Sequence, residues 1–198
     1  MHFIKQRSQV GVEETETEIR AVKVIQQAKQ WRIVDSIVFS NEEFCASAKA
    51  RIIHLIKKIR EWTGERRPRL VFGIRGDTLL AKRLSFEEKL SETAFEQYLR
   101  DQAKTLFHYS IDEVYYDFFL TEEATTQSQW QLYLVKRPFV NELVEAAHST
   151  HCHLLAIDAY ELAYQRGLHF SQKNHVEIEP TLLTSLGLAL WRQSHGSD

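Results

Sequence analysis

Two cysteines, three prolines and seven glycines in 198 residues leave this chain short of the residues that staple and punctuate a fold. Cys45 falls in a predicted helix and Cys152 in a histidine-rich turn, unlike the disulfide framework of a small secreted domain, so a reducing compartment is expected. No apolar run approaches the ~20 residues that a membrane helix requires. The opening MHFIKQRSQV has neither an apolar signal core nor a cleavage site. A cytoplasmic location is therefore expected, peripheral to a membrane only if a partner holds it there. Charge of one sign is also lacking: 25 Lys and Arg stand against 27 Asp and Glu, a net charge of −2. No whole-chain field favours nucleic acid or an acidic membrane, and no direct nucleic-acid binding is expected. Lys57–Lys58 and Arg66–Arg67 remain as local basic stretches.

What is present is 43% hydrophobic content, enough for one sizeable core or a compact pair of subdomains. Residues 10–39 alternate and are rich in β-branched side chains, which predicts a three-stranded antiparallel meander with turns near 14–18 and 27–30. Asn41 stands as an N-cap before Phe44, Ala48, Ile52, Leu55, Ile56, Ile59 and Trp62, the spacing of one helix face, with Gly64 as the stop. Residues 69–74 read as a short strand, with 78–84 returning beside it across Arg75, Gly76 and Asp77. Ser85 is then expected to cap a helix over 86–107, with Ser91 and Ala94 offering a tight contact face.

An aromatic strand over 114–120, an exposed loop over 121–129 and a strand over 130–135 follow. Pro138 suits the first turn of a helix through Phe139, Leu143, Val144 and Ala147. After a strand over 154–157, Asp158 and Glu161 have capping-box spacing for a helix that ends at Arg166, with Gly167 as its stop. Residues 170–179 are polar with one short β-like run. The last helix, from about Pro180, is apolar on most sides and should be buried or cover a partner.

Three constellations have chemical readings. His148, His151, Cys152 and His153 contain zinc-type ligands, but structural zinc needs four that converge, and these cross a helix end into a strand where side chains alternate in direction. Glu13, Glu14, Glu16 and Glu18 resemble one part of a two-metal nuclease site, yet Asp158 is the only other well-placed acid and has a sufficient explanation as an N-cap. The rings Phe107, Tyr109, Tyr115, Tyr116, Phe118 and Phe119 cannot line both faces of a strand unless both are covered, so half core and half partner groove is expected. No catalytic residue and no metal site is assigned.

Several ordered segments resemble the PilM family of type IV pilus assembly proteins, which have an actin-like fold. QVGVEETETEIRAVKV takes the place of the opening phosphate hairpin, and FHYSIDEVYYDFFL is similar to a family segment, with Tyr109, Asp112, Glu113, Val114, Asp117 and Phe118 at matching positions. LLAIDAYELA resembles the strand-into-helix segment, and IEPTLLTSLGLALWRQ the late helix, through Gly187, Leu188, Ala189 and Leu190. The implied fold is α/β, a truncated actin-like or ribonuclease-H-like fold with a small inserted βαβ-like subdomain. Residues 1–66 and 130–198 would form the core subdomain, 67–129 the insertion, and most of a second domain would be missing between Leu168 and Val176. The chain is shorter than usual for the family, in the manner of the PilM-like ComA and HofM proteins of competence and DNA utilisation.

The family's first hairpin reads Gly-aliphatic-Asp-x-Gly-Ser. Here Gly11 and Val12 fit, Glu13 replaces the acid that orients magnesium, Thr15 replaces the glycine, and Ala156 stands where a later acid is usual. With extra negative charge from Glu14, Glu16 and Glu18, neither ATP nor magnesium is expected as a cofactor. The resemblance implies a scaffold that grips the N-terminal tail of a PilN-like inner-membrane partner in a groove beside Phe72, Ile74, Leu80, Leu84, Tyr98, Phe107 and Tyr109, with self-association left open. The alternatives are a functional actin-like ATPase or a metal-dependent enzyme.

Overall fold

The computed structural model describes residues 7–28, 30–40, 48–123 and 127–191. The chain begins with strands β1 (Arg7–Glu14), β2 (Glu18–Gln27) and β3 (Gln30–Ser40), followed by helix α1 (Ala48–Thr63) and strands β4 (Arg69–Ile74) and β5 (Leu79–Phe86). Helix α2 (Glu92–Phe107), strands β6 (Val114–Glu123) and β7 (Ser128–Lys136), α3 (Arg137–Ser149), β8 (His153–Ala159), α4 (Tyr160–Asn174) and α5 (Leu183–Ala189) complete it. Two compact units result: one holds the residues up to Arg75 and from Glu142 onward, the other is Gly76–Asn141.

The first unit is built on a five-stranded sheet of order β3-β2-β1-β4-β8. The meander is antiparallel, as its alternation predicts, whereas β4 lies parallel to both β1 and β8. This is the arrangement expected of an actin-like or ribonuclease-H-like core, and the fold is α/β. Along β2 the side chains divide between two faces. Val22 and Val24 pack with Phe170, Leu182, Leu186, Ala189 and Leu190, while Lys23 reaches Thr63 O and Glu65 at the end of α1. Gly64 ends α1 in the left-handed region at φ +64°, a conformation that costs glycine little. Asn41, Phe44 and Cys45 lie outside the described residues, so the cap expected there is not described.

Helix α5 is buried almost all round, at Leu183, Ser185, Leu186, Gly187, Leu188 and Ala189. Glycine makes this closeness possible. A Cβ at Gly11 would fall on Ser185 O of α5, one at Gly167 on Leu183 O, and one at Gly187 on Ala163 O of α4. Gly167 therefore does not stop a helix: α4 continues through it to Asn174, because the backbone of α5 occupies the space a side chain would need. Asp158 likewise is not the N-cap of α4. It belongs to β8 and pairs with Arg166 at 2.9 Å, and the cap position is Ala159, which makes no side-chain cap bond.

The second unit has a three-stranded sheet of order β5-β7-β6, with α2 on one face. Because β7 is antiparallel to both neighbours, β5 and β6 run parallel and α2 crosses between them, a split form of the expected βαβ-like subdomain. Strand β5 thus pairs with β7 and not with β4, and it continues through Phe86, whose ring meets Phe95 and Tyr98 edge-on. Helix α2 consequently starts at Glu92 and not at residue 86. Ser91 is its N-cap, accepting a hydrogen bond from Ala94 N at 3.2 Å. Phe95 stacks on Trp130 at 4.5 Å in the centre of this core. The boundaries expected at 67 and 129 shift to 76 and 141, since β4 is an inner strand of the first sheet and β7 the central strand of the second.

Substituting Gly187→Ala drives a methyl group into the backbone of α4, an overpacking expected to cost about 1–3 kcal/mol in urea unfolding. Gly76→Ala, where a Cβ meets nothing within 4 Å, should leave the midpoint unchanged and serves as the control.

Candidate functional site

The hairpin between β1 and β2 is closed by its own side chains. Thr15 N donates to Glu18 O at 2.7 Å, and the Thr15 hydroxyl both donates to Glu18 O and accepts from Glu18 N at 2.9 Å. Threonine thus holds a turn that has no glycine to open its backbone toward an anion. Gly11, the one glycine retained from the nucleotide-type pattern, is in β1 with α5 seated against it. Its freedom serves packing.

Tyr160, the first residue of α4, closes the same place from the other side. Its hydroxyl accepts from Glu14 N at 2.8 Å and donates to Glu14 O at 2.6 Å, satisfying both backbone groups of one hairpin residue. Its ring lies where a Cβ at Gly73 would fall. Burial, then the charge of Glu13, pushes the Tyr160 ionisation well above the ordinary phenol range, so the hydroxyl keeps the proton that it donates. A phosphate at this hairpin would have to displace a ring with two good hydrogen bonds.

Glu13, at the position of a magnesium-orienting acid, is 6% exposed. The Ser185 hydroxyl donates to its Oε2 at 3.2 Å and Arg20 is 4.0 Å away. Burial is the largest influence on this carboxyl and raises its pKa, against the lowering by Arg20 and by the hydroxyls of Ser185 and Thr184. The other hairpin acids are paired too: Glu14 with Arg51 at 3.3 Å, Glu16 with Arg75 at 3.5 Å and Glu18 with Arg20 at 2.8 Å. Uncompensated negative charge is therefore not what sets this hairpin apart; occupied hydrogen-bonding groups and filled space are. Across the sheet Asp158 is held by Arg166, whose Nη1 also donates to Gly187 O at 2.8 Å.

A second candidate site lies wholly within the second unit. An open groove of about 390 Å³ sits at the C-terminal end of α2, floored by Leu80, Leu106, Phe107, Tyr109, Val114 and Leu134, with Asp77, Thr78, His108 and Lys136 at its margin. His108 turns the chain out of α2 at φ 63°, which places Tyr109 against the groove. Lys136 Nζ lies 4.8 Å from the Tyr109 ring and Lys82 Nζ 5.4 Å from the Phe107 ring, so the lysine stems lie along aromatic surface. Of the seven groove residues expected from sequence, Leu80, Phe107 and Tyr109 line this cavity. Leu84 and Tyr98 pack farther along the α2 face, and Phe72 and Ile74 are buried on β4 of the first unit.

The histidine-rich turn places His151 in the left-handed region at φ 57° and buries Cys152, whose thiol is raised in pKa mainly by that burial. Among the described residues no three His, Cys, Asp or Glu side chains converge as a ligand set. Sequence reasoning missed Tyr160 and Ser185 as parts of the hairpin, because both reach it from segments more than 140 residues away.

Tyr160→Phe removes the hydroxyl that bonds both Glu14 N–H and Glu14 C=O, and a loss of about 1–3 kcal/mol in urea unfolding is expected. For Glu13 the sign is opposite to that of a salt-bridged acid. A carboxyl with a raised folded pKa favours the fold fully below its unfolded pKa, and that contribution is lost as pH rises through the folded pKa. Glu13→Gln should thus be at least as stable as the parent at neutral pH, the difference closing below about pH 4 in melting curves taken across pH.

The sequence model of a family described as type IV pilus assembly protein PilM matches residues 11–176. No curated protein matches the chain. Among solved structures, a PilM–PilN type IV pilus biogenesis complex is similar with a TM-score of 0.68 at 15% identity, covering 81% of this chain and 49% of that one. The chain thus spans about half the length of that relative. The cytoplasmic domain of EpsL, an inner-membrane component of the type II secretion system of Vibrio cholerae, has a TM-score of 0.49 at 10% identity, covering 79% of this chain and 59% of that one. With the family model matching most of its length and the same fold in a solved PilM, the chain belongs to the PilM family of type IV pilus assembly proteins.

Proposed function

We propose that this chain is a non-hydrolysing scaffold of a type IV pilus or DNA-uptake apparatus, working at the cytoplasmic face of the inner membrane. It holds the N-terminal tail of a PilN-like membrane protein. The open apolar groove at the end of α2 carries this reading, supported by the likeness to a PilM found in complex with PilN. The groove suits an extended apolar segment. Its volume is within the range of small-ligand pockets, its floor is aliphatic and aromatic, and Leu80 in that floor is 42% exposed, so the apolar surface is open to a partner. Among the described residues no helix is long and apolar enough to cross a membrane, so a membrane partner would supply the attachment. Tyr160 supports a reading without hydrolysis, because its hydroxyl takes the hairpin N–H that a phosphate would need.

Fluorescence anisotropy with the partner's labelled tail peptide and the full chain tests this. Leu80→Asp and Tyr109→Ala should each weaken binding at least about tenfold, the size of one lost buried anchor. Val34→Asp, at an exposed site on β3, should not. Mg-ATP titrated calorimetrically should give no saturable heat. Wild-type affinity in both groove variants would sink the scaffold reading, and saturable heat with phosphate release would replace it with an actin-like ATPase.

A further inference from the structure

Two turns meet at one end of the first unit's sheet, RRPR at residues 66–69 and HSTHCH at residues 148–153. His153 N donates to Pro68 O at 2.8 Å, and Arg69 stands beside His153 in the β4–β8 register. Arg60, in the last turn of α1, reaches over to donate to Thr150 O at 3.2 Å. Four guanidinium groups, on Arg60, Arg66, Arg67 and Arg69, thereby share one end of the unit with His148, His151 and His153. The acids of the adjoining helix end are Glu61 and Glu65, and Glu65 is already engaged by Lys23 at 2.8 Å and by the Ser8 hydroxyl. Glu145, one turn before His148, is held by Lys49 at 2.8 Å. Arg66 and Arg67 are both exposed, and among the described residues neither forms an ion pair.

This concentration of cations stands in a chain whose net charge is −2, so it is a local surface and not a reflection of composition. We infer that it docks on the anionic phospholipid headgroups of a bilayer. Guanidinium groups bind phosphate oxygens in pairs of parallel hydrogen bonds, and two adjacent exposed arginines on a turn can each do so without displacing an existing partner. Each cation near an anionic membrane contributes about fivefold in partitioning, so four give weak, reversible binding that sedimentation at low salt can read, and not a stable anchor. Such a surface becomes effective when a second attachment raises its local concentration. The choice of a bilayer rests on the proposed membrane partner, which supplies that attachment. Duplex DNA is the less suitable polyanion. Holding it at physiological salt takes on the order of six to ten phosphate contacts along a track, and this patch is confined to two turns bounded by Glu61 and Glu65.

The test uses the full chain alone, without tail peptide, in co-sedimentation with phosphatidylcholine vesicles containing or lacking phosphatidylglycerol. Binding is expected only with phosphatidylglycerol and should fall as salt is raised. Arg66→Gln combined with Arg67→Gln should weaken it about 25-fold. Both side chains are exposed, and an unchanged melting temperature in the double variant confirms that its fold is intact. Equal binding to neutral vesicles, no binding to either, wild-type binding by the folded double variant, or retention of a DNA duplex in preference to the anionic vesicles would each overturn the proposal. Tail-peptide affinity is a separate readout: its loss alone would defeat the groove reading and leave the lipid surface standing.

Discussion

Helix α5 lies so close to β1 and α4 that three glycines, Gly11, Gly167 and Gly187, face backbone where any other residue would place a Cβ. A seven-residue helix has little stability of its own in water, because nucleation costs more than so few hydrogen bonds return. Burial on almost every side compensates, and the close approach makes that burial complete. The same seating brings Ser185 to Glu13 and to Arg20 O, and Gly187 O to Arg166, whose other contact is Asp158. The polar contacts of Glu13 and Asp158 are thus tied to how the last helix is packed.

The second unit solves a different packing problem with one helix and three strands. Tyr116 and Phe118 turn toward α2, while Tyr115 and Phe119, 40% and 42% exposed, lie on the opposite face. That face is tempered by polar cover: Arg137 lies 4.3 Å over the Tyr115 ring, and Phe119 stacks on Tyr133 at 6.2 Å. The division of β6 between core and open surface follows from the two-residue period of a strand. The groove lies at the C-terminal end of α2, where His108 redirects the chain.

Elements governed by local periodicity were legible in the sequence: the meander, the apolar face of α1, β4 and the buried last helix. Misreadings occurred where a residue has one local and one tertiary explanation. Gly167 has the chemistry of a helix stop, but a glycine inside a helix is equally suited to a crossing, and the neighbour that decides between them is α5. Asp158 with Glu161 spells a capping box, yet Arg166 claims the aspartate. Strand β5 could be assigned to β4 by proximity in sequence because nothing in 79–86 names β7 as its partner. In the groove, Phe107 and Tyr109 were legible, whereas Lys136 enters from another strand and Tyr160 closes the hairpin from the far side of the chain.

Gly11 shows why retained pattern and retained chemistry must be separated. A glycine at the start of the hairpin is what phosphate binding requires, since a backbone N–H must approach an anion without an intervening Cβ. It is also what a helix backbone requires when it presses on the strand from behind. In this chain only the second demand is met by visible neighbours: Ser185 and Ala189 fill the space, Thr15 occupies the position where the turn would need a glycine, and Tyr160 holds the N–H of Glu14. The four glutamates are matched to arginines, so their charge can be carried without a metal. The polar groups of the hairpin find their partners within the chain, because an unpaired buried group is more costly than an exposed one. Tyr160, Ser185 and Arg20 supply those partners for Glu14, Glu13 and Glu18, and together they tie the hairpin to the rest of the first unit.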